Sequence, residues 1–593
     1  MKKEIVLLQE EMDKENIDFY LVPTSDDHNS EYVSDYFKCR EYLSGFTGSA
    51  GTLLVSKDAA WLWTDGRYYL QAAKELEGSG ITLMKDGTAG VLSIPDFLAK
   101  EMGENTTLAF NGKLYSTAFC MGLRRKLAGK NRRMKIDIDL VHKIWTDAPK
   151  RSCKTIYPFE AKYAGTPVHE KLTSYREYLK KHNADCQVLN GLTDIAWLFN
   201  LRGHDVACTP VFLAYAYIDL DTAILFLQKE AVSEETATYL EEASIEVKDY
   251  DSFYKFLGSL TGKKILMDQS DLNFYGYQSL NRELRQIPGQ KYTTQAKIIK
   301  NDTEISNTKA CHLRDAVYMT KFMYWLKHEI KKRNLTEIEV ADYIDKLRLS
   351  DKLALDLSFE TISAYGANAA IVHYTATEES NAIIEPKGLL LVDSGGHYLD
   401  GTTDITRTFA MGPLSDKERT MFTTVLRSML HLANAKFLAG CRGSNLDCLA
   451  REPMWEMGID FRHGTGHGVG HVLSVHEGPN NFRYRVTKAN LDAILMPGMI
   501  TTDEPGIYLD HQFGIRIENE LLCTKWKQNE YGAFLKFDYL TYVPIDLDAI
   551  DIDLLSEQEK MWLNDYHSSV YDKIHPFLTI EEQEWLRKYT RAI

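Results

Sequence analysis

Nowhere does the 593-residue chain approach the roughly 20 consecutive apolar residues that a membrane span requires. The N-terminal MKKEIVLLQEEMDKENID opens with two lysines, as a secretory leader would. Its apolar stretch, Ile5 to Leu8, gives way at once to acidic residues, so it reads as an amphipathic first helix. Cysteine is scarce: nine residues, an odd number with no CxxC pair, which excludes a cysteine-built zinc site and suits a reducing compartment, the cytoplasm. Positive charge is in the minority, 69 Lys and Arg against 84 Asp and Glu, for a net charge of -15. Such a surface repels nucleic acid and anionic membranes, and neither is expected as a partner. The one basic run, Arg124 to Lys135, reads as a solvated helix or loop face. Short-period repeats and low-complexity tracts are missing as well.

What is present is ordinary globular material, 44% hydrophobic and 26% charged. The chain exceeds what one hydrophobic core supports, about 250–300 residues, so two to four domains are expected. The first 150 residues alternate strands, at Phe19 to Pro23 and Ala50 to Ser56, with helix, at Tyr68 to Leu76. The polar stretch ending near IWTDAPKRSC marks a boundary, and a helical pattern follows at Val168 to His182. Beyond it DCQVLN and TAILFLQ are strand-like and YDSFYKFLGSL is helical. EYLSGFTGSAGTLLV and AWLFNLRGHDVACTPVFLAYAYI share an aromatic entry, a glycine turn and an apolar strand, which suggests that the two segments arose by duplication. These features predict domains over residues 1–154, 155–300 and 301–593.

The third domain carries capping-box pairs at Thr336 with Glu339, Ser415 with Glu418, Ser556 with Glu559 and Thr579 with Glu582. The helix after Ser415 is predicted to run to Ala439 and stop at Gly440. Strands are predicted at GLLLVDSG, DITRTFA, MITTDEPGIYL and FGIRIENELLC, giving an α+β domain with a curved antiparallel sheet. Asp393 ends the first of these strands, Asp404 begins the second, and Glu504 and Glu518 lie in the third and fourth. Strand periodicity would put Gly514, Arg516, Glu518 and Glu520 on one face. Four converging acids on an apolar sheet repel unless cations neutralise them, and two divalent ions balance four negative charges. The loop His463-Gly-Thr-Gly-His467-Gly-Val-Gly-His471 adds nitrogen donors. Its glycines argue against helix and for a close approach of backbone to a ligand or metal. His476 stands beside a proline turn in SVHEGP, and His373 lies in the strand-like IVHY. Taken singly, these are an end-of-strand turn, a loop and a core histidine; in this order within one domain they make a metal site.

The set VDSGGHYLDGTTDITRTF, HGTGHGVGHVLSVHEGP, TDEPGIY and FGIRIEN resembles the Xaa-Pro aminopeptidases (aminopeptidase P), pita-bread metallopeptidases related to prolidase and methionine aminopeptidase. GFTGSAG with WTDGRYYLQAAKEL, and DIAWLFNLRGHDV with TPVFLAYAYI, resemble the two creatinase-like α/β domains of the long form, so the resemblance spans the chain. It implies that Asp393 holds one metal alone, that His467 and Glu504 hold the other, and that Asp404 and Glu518 bridge both. It implies manganese, with zinc, cobalt or iron as alternatives. His373, His463 and His476 match the family's substrate-contacting and proton-handling histidines, and Arg516 its arginine beside the bridging glutamate. A homodimer is implied too. His471 and Arg462 depart from the family pattern.

The mechanism expected from this resemblance is attack of a metal-bridging hydroxide on the bond between the first residue and a following proline. Glu504 would transfer the proton, and His373 and His476 would stabilise the oxyanion. Among rivals, a serine hydrolase built on Asp393-Ser394-Gly395-Gly396 leaves Glu504 and Glu518 unexplained. A non-catalytic binding module of the same fold would lose ligands that are all present here. Creatinase works without metal, and prolidase is restricted to dipeptides. GSLTGKK at Gly258 is one residue short of a phosphate loop.

Overall fold

The computed structural model describes residues 1–486 and 492–593. They form two compact units, Met1–Glu160 with Thr166–Thr294, and Ala161–Gly165 with Gln295–Ile593.

The first unit contains two six-stranded sheets. One is built from Phe19–Pro23, Thr52–Ser56, Ala60–Thr64, Ile81–Lys85, Thr107–Ala109 and Arg133–Lys135. The other is built from Cys186–Leu189, Ala214–Asp219, Ala223–Leu227, Glu246–Asp249, Lys264–Met267 and Arg285–Pro288. Counted in chain order, both run four-three-two-one-five-six across the sheet. In both, the first three strands pair antiparallel and the remaining neighbours parallel. This shared topology supports the duplication suggested by the sequence. The N-terminal helix Lys3–Lys14 buries Ile5, Leu8 and Met12, one stripe at helical spacing, in the core of the first sheet.

The second unit pairs Ile362–Tyr365, Leu389–Ser394 and Ile405–Ala410 in one antiparallel sheet. A six-stranded antiparallel sheet runs in the order Lys436–Leu438, Gly532–Tyr539, Asn519–Asn529, Ile500–Asp503, Gly466–Gly468, Glu477–Phe482. Helices Asp302–Glu329, Asp416–Ala433, Gly443–Trp455 and Glu557–Ile574 bury Phe322, Phe422, Met454 and Leu563 in one core with strand residues such as Val392 and Ile515. Each such side chain contributes about 1.5–3 kcal/mol on removal from water.

Some local expectations are revised. The helix capped by Ser415 ends at Ala433, not Ala439, and Lys436–Leu438 is a strand. Thr336 accepts from the Glu339 amide, but the Glu339 carboxylate turns to Arg333 (2.5 Å), so that box is half formed. The other three boxes are complete. His373 lies in a turn after the short helix Gly366–Ala370, not in a strand.

The two long predicted strands are each broken. Ile500–Asp503 pairs with Asn519–Asn529, whereas Gly506–Leu509 pairs with Phe513–Arg516. The breaks fall at Glu504-Pro505 and Ile517-Glu518. At each break the acid's amide leaves the ladder for another strand or loop: Glu504 N donates to Thr465 O (2.8 Å) and Glu518 N to Thr406 O (3.0 Å). Proline at 505 has no amide to continue the ladder. The single alternating face predicted for Gly514 to Glu520 therefore does not exist.

Candidate metal centre

Asp393 sits opposite Thr406 in the sheet, and Asp404 stands one residue before the strand Ile405–Ala410. The Asp404 amide donates to Glu520 Oε1 (2.8 Å), which fixes that strand entry. Glu520 in turn lies 3.2 Å from His312 Nε2, a pair fully enclosed in the protein. His467 lies on Gly466–Gly468, its amide donating to Thr502 Oγ1 (3.0 Å). Its Nδ1 donates to the Gly468 carbonyl (2.9 Å), which leaves the Nε2 lone pair free to bind a metal. That Nε2 faces Asp404 Oδ2 at 3.3 Å and Glu504 Oε1 at 3.7 Å.

Ligand atoms of Asp404, His467 and Glu518 lie within 4.8 Å of one another. Glu518 accepts from the Thr406 hydroxyl (2.8 Å) through Oε2, while its Oε1 and Oδ1 of Asp393 are buried with no hydrogen-bond partner among the described residues. Leaving a buried charged oxygen unsatisfied costs several kcal/mol, on the order of 1–3 or more per group, unless a cation occupies the space. Burial pushes the Glu518 carboxyl well above the usual range, and the charges of Asp404, Glu504 and Asp393 push it further. Asp393 and Glu504 are raised for the same reasons, against the opposing charge of Arg516, and in Glu504 of His467 as well. Burial opposes charging of His467, yet its carboxylate neighbours outweigh this and lift it to about 9. His467 must be neutral to ligate a metal, so four acids facing one arginine leave negative charge that divalent cations would offset, and the donor set fits them.

Arg516, expected beside the bridging glutamate, is not hydrogen-bonded to Glu518, but its charge opposes the rise of that carboxyl. Its Nη2 binds Asp393 Oδ2 (2.5 Å), its Nη1 donates to Tyr508 OH (2.8 Å), and its Nε to Thr406 Oγ1 (3.1 Å). Thr406, which donates to Glu518, links the two by hydrogen bonds. His463 Nε2 accepts from Tyr508 OH (2.9 Å) and its Nδ1 donates to Gly464 O (2.6 Å), so His463, Tyr508, Arg516 and Asp393 form one chain. The His476 ring lies edge-on to that of His467, with centroids 4.3 Å apart. His373 is half-buried, and the neighbouring Val372 carbonyl is 3.5 Å from Arg516 Nη2.

Tyr508 and Thr406 were missed by sequence reasoning, although both lie inside quoted motifs. Tyr508 follows TDEPG by two positions and Thr406 sits opposite Asp393; only the pairing register reveals them. Gly466 and Gly468 of the histidine loop are required by neighbouring backbone. A Cβ on Gly466 would lie 1.8 Å from Thr502 O and one on Gly468 2.1 Å from Glu477 O. His471 is buried against Thr308 Oγ1 (3.2 Å) and Tyr163 O (3.1 Å), while Arg462 is exposed. Ser394 is buried with its hydroxyl 3.9 Å from Met319 Sδ, which disposes of a serine nucleophile there.

Residues 306–525 match metallopeptidase family M24, and 533–593 match the C-terminal region of that family. Residues 5–139 and 147–304 each match a creatinase/prolidase N-terminal domain. Aminopeptidase P2 of Arabidopsis thaliana is 40% identical, over 97% of this chain and 86% of its own length. Xaa-Pro aminopeptidase 1 of Dictyostelium discoideum is 37% identical over 100% and 97%. Among solved structures, an X-prolyl aminopeptidase from Caenorhabditis elegans, described as a cytosolic enzyme with a di-nuclear active site, superposes with a TM-score of 0.93 at 33% identity. The match covers 97% of this chain and 95% of the other. With its two creatinase/prolidase-type N-terminal domains and its M24 pita-bread catalytic domain, the chain belongs to the Xaa-Pro aminopeptidase (aminopeptidase P) family of metallopeptidases.

Proposed function

We propose that this chain removes the N-terminal residue from peptides with proline at the second position, using two divalent metal ions, most suitably manganese. Asp393, Asp404, His467, Glu504 and Glu518 would hold them. The observation that carries this reading is the pair of buried oxygens on Asp393 and Glu518 without a hydrogen-bond partner among the described residues, beside donor atoms of Asp404, His467 and Glu518 gathered within 4.8 Å. Four oxygen-donor residues and one nitrogen suit Mn(II) in donor hardness, although affinity order alone favours zinc. Two such cations, when bound, make a water acidic enough to attack a carbonyl near neutral pH.

The protein's own part is positioning and proton transfer. Glu504, at a strand break rather than inside a ladder, accepts the water proton on a carboxylate oxygen and hands it to the departing proline nitrogen. Arg516 keeps Asp393 ionised and oriented. His373 and His476 hydrogen-bond the peptide and the developing oxyanion, and His463, held by Tyr508, binds substrate at the rim. Domain limits at 1–154, 155–300 and 301–593, a homodimeric assembly and a cytoplasmic location complete the proposal. The relatives' names and the full-length match favour an aminopeptidase over a dipeptide-restricted prolidase.

Hydrolysis of an Arg-Pro-Pro peptide and of Xaa-Pro dipeptides, with metal analysis and chelator arms, tests this. The expected result is two metal equivalents, chelator-sensitive release of arginine, and preference for the longer peptide. Glu504→Gln should lower kcat by about 100-fold or more, the scale of a lost general base, with the fold intact. Near-normal turnover of that variant would refute the role given to Glu504.

A further inference from the structure

Glu337 opens the helix Glu337–Leu349 and is completely buried, yet among the described residues no arginine or lysine is hydrogen-bonded to it; its partners are amides and a hydroxyl. Oε1 accepts from the Tyr365 amide (2.6 Å) and Oε2 from the Ala382 amide (2.8 Å). The Asn368 side-chain amide spans both oxygens (3.0 and 3.1 Å), and Tyr374 OH lies 2.8 Å from Oε2. These four partners belong to one segment, residues 365–382, which leaves the sheet at Tyr365 and returns beside the helix start, where Glu337 N donates to Ala382 O (3.2 Å). One carboxylate thus closes both ends of the segment and holds its middle. A buried carboxylate is costly, and that cost is tolerable only because every acceptor position is filled.

His373 lies in the middle of this segment, flanked by two restrained residues. Tyr374 is held by Glu337 and packs with Ile362, Ala364, Ala369 and Leu391 under the strand that carries Asp393. Val372 presents its carbonyl to Arg516, the residue bound to Asp393. The segment also lies flush on the strand Phe513–Arg516, since a Cβ on Gly514 would sit 1.7 Å from Ala369 O. We infer that Glu337 is a positioning residue for His373, fixing the segment so that this imidazole faces the metal centre.

The chemistry requires a carboxylate. Glutamine at 337 would have to turn its NH2 toward either the Tyr365 or the Ala382 amide, setting donor against donor whichever way it flips. The segment would then loosen around His373 while the metal ligands, none of which hydrogen-bonds Glu337, stay in place.

The inference rests on the role proposed for His373, and a double-mutant cycle separates the two. His373→Ala, Glu337→Gln and the double variant are compared for kcat and KM on an Arg-Pro-Pro peptide, for metal content and for melting temperature. Glu337→Gln is expected to lower kcat/KM about tenfold or more, in the same parameter as His373→Ala, with two metals retained. The double variant should lie within about threefold of His373→Ala, because residues acting as one unit are not additive. If His373→Ala is as active as the parent, the role of His373 fails and the inference with it. If His373→Ala is impaired but Glu337→Gln is within twofold of the parent, or the two losses multiply, or metal is lost, the inference alone is overturned. Should Glu337→Gln not fold, Tyr374→Phe, which deletes one hydroxyl, decides by the same criteria.

Discussion

Gly466 shows how little room the histidine loop has. Its missing side chain lets the strand bearing His467 lie against Thr502, whose carbonyl would be 1.8 Å from any Cβ. Gly466→Ala must therefore separate two paired strands that between them carry His467 and lead into Glu504. The expected cost is about 1–3 kcal/mol or more from overpacking, with metal affinity reduced further than stability alone explains. Metal titration of the folded variant checks this; wild-type affinity would mean the loop adapts. A second residue makes a pH prediction in the other unit. Asp27 is buried at 6% exposure, and burial lifts its carboxyl to about 6 against the opposing charge of Lys113. A carboxyl whose folded pKa lies above its unfolded value favours folding most below about pH 4, and that contribution disappears as pH rises through about 6. At about 1.4 kcal/mol per pKa unit, wild type should lose up to about 3 kcal/mol between pH 4 and 8 relative to Asp27→Asn. Chemical-denaturation midpoints of the two proteins across that range should converge at the acid end and part toward neutral; parallel curves would show that Asp27 is charged throughout.

At the scale of elements, helix starts were readable and several element ends were not. A cap is written in two residues three apart, and the carboxylates of Glu418, Glu559 and Glu582 return to the amides of Ser415, Ser556 and Thr579. Ser556→Ala should cost about 1 kcal/mol in thermal or denaturant unfolding of the second unit, as a lost N-cap does. A change below a few tenths would mean that Arg427 and His431, which also hold Glu559, keep the helix start without the hydroxyl. Where the helix after Ser415 stops was not readable, because Lys436–Leu438 continues an apolar pattern that only burial of Phe437 between two exposed neighbours identifies as strand. The same limit hid the break at Glu518. FGIRIENELLC carries no turn signal at its break, which comes from a change of partner strand, whereas Pro505 and Gly506 did mark the other break in the sequence. The acids themselves were legible because their spacing and order survive in the sequence. The partner of Arg516 was not, since the choice between Asp393 and Glu518 depends on side chains from strands more than a hundred residues apart.

Across the whole molecule, the metal-site charges and the creatinase-like sheets fall in different compact units, each with its own buried core. Ligand binding stabilises the state that binds, by RT ln(1 + [L]/Kd), or about 2.7 kcal/mol at a hundred times Kd. Four acids that repel one another without cations sit only in the Gln295–Ile593 unit, so chelation should lower the stability of that unit selectively. A calorimetric scan is not expected to follow a single two-state transition for a chain of this size. With chelator, the component assigned to the second unit should move to lower temperature while the component of the first stays, and added manganese should restore it. Assignment follows from the Asp27→Asn variant, whose change in stability belongs to the first unit. If instead both components shift together by the same amount, the units unfold as one cooperative block, and the charge deficit at Asp393, Asp404, Glu504 and Glu518 is a property of the whole chain's stability rather than of its catalytic half.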